Sequence, residues 1–222
     1  LIERDIFVYD IFSVSNYTIM QQGTGNPEEV TKIRNEEERR VMELLCVDYE
    51  LWGYPEPLLR DGYTHLDNIF DPEGKPKSDK LYAEIESKVS GVCESNPNAN
   101  IFFPMGLGHH IDHLIIASIA LGILRKHPSL KAYFYEDQPY VGGISLDEVT
   151  GFVQSSNPNF ESHTFAFDNV LDKMSVLKHY KSQFDAEDVA WTYHHTQRRR
   201  GEVIWSTKDN IRRIKNEQYK IS

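Results

Sequence analysis

The segment from Ile101 to Arg125 constrains the fold more than any other part of the chain. Ile101 to Phe103 is an apolar, strand-like stretch, and Leu114 to Arg125 is an apolar, helix-like run. Between them lies Pro104 to His113, reading Pro-Met-Gly-Leu-Gly-His-His-Ile-Asp-His. Gly106 and Gly108 permit a tight backbone path into the turn. A strand that turns directly into a helix is the repeating unit of open α/β sheets, and such sheets carry their chemistry at the carboxyl ends of the strands. His109, His110, Asp112 and His113 fall at that position. A metal-dependent enzyme is therefore the first hypothesis.

The rest of the chain extends the same alternation. Strands are predicted at Asp5 to Ser13, Val47 to Leu51, Ile101 to Pro104, Lys131 to Tyr135 and Phe160 to Phe167, where β-branched and aromatic residues concentrate. Helices are predicted from Pro27 to Cys46, from Asp79 to Val89 behind a Ser78 cap, from Leu114 to Lys126, from an Asp168 cap to Phe184, and from Asp185 to Arg200. Leu1 to Arg4 reads as the tail of a preceding helix, and Ser145 to Thr150 as a short helix or turn. Ile204 to Ser222 is polar and hard to place. Strands alternating with helices imply parallel pairing with helices on both faces. The expected fold is a Rossmann-like three-layer α/β/α domain with a mostly parallel sheet, spanning 1–222 as one domain.

Composition narrows the function. The net charge of −10 argues against nonspecific nucleic-acid binding. The one basic cluster, Arg198 to Arg200, reads as a solvated helix end rather than an anion contact. Two cysteines, Cys46 and Cys93, without CxxC spacing, fit a reducing compartment, and a cytoplasmic location is expected. No apolar run is long enough to cross a bilayer.

In the histidine-rich turn, His110 and His113 are three residues apart and share a face if the turn is helical. Catalytic zinc ordinarily takes three protein ligands and keeps a fourth position for water. Three near-adjacent residues seldom all reach one ion, so more ligands have to come from elsewhere. The competing reading is an Asp112 helix cap with surface histidines beside it. Elsewhere, His109 reads as a surface side chain, His194 and His195 as surface residues of a late helix, and His65 with Asp61 and Asp67 as a plain loop.

The Pro-x-Gly-x-Gly-x-His-x-Asp-His run resembles the second motif of the LmbE-like, or PIG-L, N-deacetylases. Arg34 with Glu37 and Glu38 resembles that family's Arg/Glu-bearing helix. Trp52 to Pro55 with Leu58 to Asp61 resembles its loop after the third strand. Tyr135 to Tyr140 (Tyr-Glu-Asp-Gln-Pro-Tyr) and Lys178 to Gln183 resemble two later segments. The resemblance covers nearly the whole chain and implies the LmbE-like fold. It also implies zinc-dependent hydrolysis of an N-acetyl group, typically on a glucosamine-containing molecule. By the same resemblance His113 is the metal ligand, with zinc or another divalent ion such as iron. His110 acts at the developing oxyanion or leaving amine, and Asp112 orients a histidine. Arg60, Asp61, Glu136 and Tyr140 are the candidate substrate contacts; Tyr140 reads equally as a buried aromatic.

One departure stands out. The family's other two zinc ligands and its general base lie in a His-Pro-Asp-Asp-Glu motif after its first strand, and nothing in this sequence matches it. The chain opens on Leu1 to Arg4 and runs straight into a strand. The expectation is a deacetylase domain without its first strand and metal motif, which binds zinc poorly and exposes an apolar sheet position. Two other readings stay open: a non-catalytic binding protein of the same fold, and an amidase acting on a thiol conjugate or another small acyl amide.

Overall fold

The computed structural model describes residues 6–21, 23–166 and 169–218. The helix tail expected over Leu1 to Arg4 and the cap expected at Asp168 lie outside the described residues. The chain forms two compact units, Leu1–Ile69 with Asp168–Tyr193, and Phe70–Phe167 with His194–Ser222.

In the first unit, β1 (Phe7–Asp10) leads through a two-residue pairing of β2 (Tyr17–Thr18) with β3 (Gly23–Thr24) into α1 (Pro27–Leu45). The start of α1 follows its sequence signals. The Asn26 side chain accepts from the Glu28 and Glu29 amides, Pro27 opens the helix, and two acids occupy the first turn. Cys46, with φ of 54°, ends it, and β4 (Asp48–Leu51) then pairs parallel with β1.

The second unit contains α2 (Tyr82–Ser95), β5 (Ile101–Pro104), α3 (Ile111–Lys126), β6 (Ala132–Tyr135), α4 (Leu146–Ser156) and β7 (Phe160–Ala166). α5 (Val170–Leu177) belongs to the first unit, α6 (Ala186–Arg199) begins in the first and ends in the second, and β8 (Gly201–Thr207) and α7 (Lys208–Gln218) belong to the second. The α/β class expected from the alternation holds. The four-stranded sheet runs β5-β6-β8-β7 and is mixed: β5 and β6 are parallel, while β8 is antiparallel to both β6 and β7. β8 starts just before Ile204 and runs into the polar segment that the sequence left unplaced. Its core-facing residues, Val203 to Trp205, are buried. Because α6 turns into β8 through Arg200 and Gly201 alone, without a longer turn signal, the strand start is hidden in the sequence. Ser78 ends a 3-10 turn instead of capping α2, which starts after Leu81 with no side-chain cap.

α3 is apolar on nearly every side, the pattern of a helix enclosed by its unit. It packs on β5 and β6 and buries Ile115, Ile119 and Ile123. α7 packs on β7 and β8, where Tyr133, Ile204, Ile211 and Ile214 form a core cluster. Full burial of each large apolar side chain of this kind contributes roughly 1.5–3 kcal/mol. Among the described residues no helix is long and apolar enough to cross a membrane. Cys46 is an exposed and Cys93 a buried free thiol.

The first unit holds a polar cluster around α1. Arg34 pairs with Glu56 (2.6 Å) and donates to Ser15 (2.7 Å) and Gln183 (2.7 Å). Glu37 accepts from the amide and hydroxyl of Ser182, and Glu38 from the Tyr180 hydroxyl (2.8 Å). The Arg34–Glu37–Glu38 and Lys178–Gln183 segments, both picked out in the sequence, are thus partners in space. At the end of β1, burial and the neighbouring Glu38 and Glu56 charges outweigh Arg34 and push the Asp10 carboxyl up to about 7. A carboxyl that holds its proton longer when folded than when unfolded destabilises the folded state as pH rises between those two values. Asp10→Asn is therefore expected to leave the melting temperature nearly unchanged at pH 4 and to raise it at pH 8. A difference on the order of 2–4 kcal/mol would be measured by thermal and denaturant unfolding across that range.

Candidate active site

The site is built where β5 turns into α3. The backbone leaves Pro104 through left-handed conformations at Gly106 (φ 86°), Gly108 (φ 82°) and His109 (φ 64°). A Cβ at position 108 would stand 2.3 Å from Tyr140 Cβ, so only glycine allows Tyr140 to approach. The turn delivers His110 to the N-cap of α3, where its Nδ1 accepts from the Asp112 amide (3.3 Å). That bond leaves the ring proton on Nε2, which makes Nε2 a donor.

His113 stands one turn into the helix. Its Nδ1 lies 2.6 Å from Oδ1 of Asp137, whose side chain is fully buried. The other oxygen, Oδ2, accepts from the amides of Met105 (3.1 Å) and Leu107 (2.8 Å). An aspartate fixed by two backbone donors presents an acceptor to His113, so the imidazole donates through Nδ1 and Nε2 is the nitrogen left for a ligand. Burial alone would pull the His113 pKa down. The hydrogen bond and charge of Asp137, with the charge of Asp112, outweigh it and hold the pKa above its ordinary value. About 29% of the His113 side chain stays accessible.

Aromatic rings close around this pair. The Tyr140 ring stacks on His110 (5.6 Å, 19°) and meets His113 edge-on (5.5 Å, 78°). Phe70 lies edge-on to both His110 (5.2 Å) and Tyr140 (5.3 Å) and is 38% exposed. His109 turns away and packs against Phe152.

His110, His113 and Tyr140 are therefore brought together, and Asp112 is buried beside them in the first turn of α3. The carboxylate bonded to His113 is Asp137. Glu136, expected as a substrate contact, is buried. It is 3% exposed, and its carboxylate accepts from His195 Nε2 (2.6 Å), Arg199 Nε (3.0 Å) and Nη2, and Trp205 Nε1 (2.9 Å). Burial pushes the Glu136 carboxyl up, and these donors outweigh it and hold it below its ordinary range. His195, read from the sequence as a surface residue, is buried, as is most of Arg199. Arg60 and Asp61 belong to the first unit. The Arg60 guanidinium lies over the rings of Phe12 and Tyr63 and donates to the Pro55 carbonyl, and Asp61 is exposed in a turn.

Sequence reading put Glu136 and Asp137 together at the functional edge of the sheet without separating them, and it missed Phe70 and Arg199 as members or supports of the site. Consecutive residues at a strand end point to opposite sides, so only one of Glu136 and Asp137 can face the histidine turn. Nothing in the sequence chose between them. Phe70 sits in a turn-rich stretch without any signal.

No protein-family model matches the chain. It is 26% identical over 171 residues to 2'-N-acetylparomamine deacetylase of Streptomyces fradiae, covering 76% of this chain and 60% of that protein. The chain thus spans about three fifths of the length of that relative. A deacetylase of teicoplanin biosynthesis, solved as a complex, superposes with a TM-score of 0.67 over 90% of this chain and 86% of that one, at 15% identity. The fold is that of teicoplanin deacetylase. Its zinc-inhibited form superposes with a TM-score of 0.65 at 16% identity over the same shares. The A40926 pseudoaglycone deacetylase superposes with a TM-score of 0.63 at 15% identity, over 90% of this chain and 84% of that one.

Among the described residues no group of three His, Cys, Asp or Glu side chains is arranged to hold a metal, so the donors described do not fit a zinc ion. His113 commits Nδ1 to Asp137 and keeps Nε2, which is one ligand position.

The glycine at position 108 provides a direct check on the site's construction. Gly108→Ala is expected to cost about 1–3 kcal/mol through backbone strain and the clash with Tyr140. Denaturant unfolding would read the loss, and a changed near-ultraviolet signal would show Tyr140 leaving His110.

Proposed function

We propose that this chain is a hydrolase of the LmbE-like, PIG-L kind that removes an N-acetyl group from a glucosamine-containing sugar or glycoconjugate. The observation that carries the reading is His113 held by the buried Asp137, with the donor Nε2 of His110 beside it. The curated relative named as an N-acetylparomamine deacetylase and the solved deacetylases of this fold support it. We read both units as parts of one deacetylase domain, since those structures align over 90% of the chain.

Hydrolysis of an acetamide adds water to the carbonyl, forms a tetrahedral oxyanion and breaks the C–N bond, and the amine leaves with a proton. His110 stands at the N-terminus of α3, where the helix favours negative charge, and its Nε2–H suits the oxyanion or the departing nitrogen. His113, its proton affinity raised through Asp137, is held in one orientation for transfer through Nε2. When zinc or another divalent ion is bound, His113 Nε2 would be its ligand instead of a proton-transfer group. Tyr140 and Phe70 give the reacting group an aromatic wall, and Arg60 and Asp61 are proposed as further substrate contacts. The free thiols are in keeping with a cytoplasmic location.

A second reading, a non-catalytic binding protein of the same fold, is favoured by one observation, the lack of a three-ligand metal site among the described residues. Acetate release from N-acetylglucosamine-type substrates, with and without added zinc, separates the two. The hydrolase reading expects release that falls about 100-fold or more in both His113→Ala and His110→Ala. Saturable sugar binding without release supports the binding protein instead. Calorimetric titration of this chain with zinc is expected to show only weak binding, which His113→Ala abolishes; tight stoichiometric binding would contradict the donor set described above.

A further inference from the structure

We propose that the last turn of α6, through His195 and Arg199, positions the His113–Asp137 pair. The connection runs through the segment that leaves β6. Glu136 and Asp137 are adjacent and face opposite ways. Asp137 holds His113 and the amides of Met105 and Leu107. Glu136 is anchored by His195, Arg199 and Trp205. The following residues divide between the same two sides. Gln138 reaches Glu202 and accepts from Thr196, both at 3.4 Å, while Tyr140 stacks on His110. One stretch of backbone thus carries two site-facing residues, Asp137 and Tyr140, and is held from behind at Glu136 and Gln138.

The anchor is itself ordered. Arg198 Nη2 lies 2.7 Å from His195 Nδ1 and donates to it, so the ring donates to Glu136 through Nε2. Arg199 grips the same carboxylate with two nitrogens, a geometry that fixes both its direction and its distance. A planar fork transmits position in a way that a point charge cannot. Loss of the fork frees Glu136 to shift, and a shift of about 1 Å at the neighbouring Asp137 is enough to misalign a reacting group. These residues touch no reacting atom in this scheme, and their effect passes through Asp137.

The test uses the full chain, isotopically labelled, at one fixed pH. Imidazole resonances of His113 are compared in the wild type, Arg199→Lys and Trp205→Phe, with His127 as a reference. Arg199→Lys is expected to unfold cooperatively, to move or broaden the His113 Nδ1–H resonance, and to leave His127 in place. Where acetate release is measured, kcat is expected to fall about 10-fold to 100-fold with KM within about twofold. A folded Arg199→Lys with an unmoved His113 resonance overturns the proposal, whatever its melting temperature. If Arg199→Lys does not fold, Trp205→Phe removes one donor from Glu136 and spares its charged partners, and the same resonance decides. The rate arm rests on the hydrolase reading and the resonance arm does not. A wild type without acetate release therefore counts against that reading while the resonance still judges this one.

Discussion

A single buried carboxylate organises the second unit's site. Asp137 has no access to solvent, so its charge has to be met inside the protein. Two backbone amides from the β5–α3 turn meet one oxygen and His113 meets the other. The same bonds that satisfy the charge also fix the turn and the imidazole. Removing Asp137 would take the partner from the buried Leu107 amide, leave the Met105 amide with the Tyr135 carbonyl alone, and release the ring that bears the chemistry, so the shape of the turn and the proton position on His113 have one cause.

The two ends of this arrangement are held by different physics. On the site side, packing dominates: Gly108 gives Tyr140 its room, and Tyr140 covers His110. Behind it, ionic hydrogen bonds dominate, with Glu136 accepting from His195, Arg199 and Trp205. A buried charge of this sort adds little net stability over an apolar replacement, but it tolerates few alternative arrangements. That exchange of stability for definition suits a segment whose task is to hold two neighbours at fixed positions.

Much of the architecture was legible where local signals and burial agree. The Pro27 start of α1, the apolar run of α3 and the β5 and β6 strands lie where periodicity and helix-start residues put them. β8 was hidden because its signal, Val203 to Trp205, is short and follows α6 almost without a break. In the site, the histidine turn announced itself through composition, and His110 and His113 do meet Tyr140. Asp137 over Glu136, and His195 as a buried residue, depend on which side of a strand or helix faces inward. That choice is made by tertiary packing around β8, a strand that local pattern did not reveal.

The position of β8 between β6 and β7 has a further consequence for how the second unit assembles. β6 and β7 do not pair with each other; each borrows its neighbour from a strand that comes later in the sequence. Synthesis therefore leaves both with open backbone edges until β8 arrives, and the long excursion through α5 and α6 has to close first. Contacts of such wide sequence separation are slow to form. The same late strand brings Trp205 to Glu136, so the floor beneath the histidine pair is finished only when the sheet itself is complete.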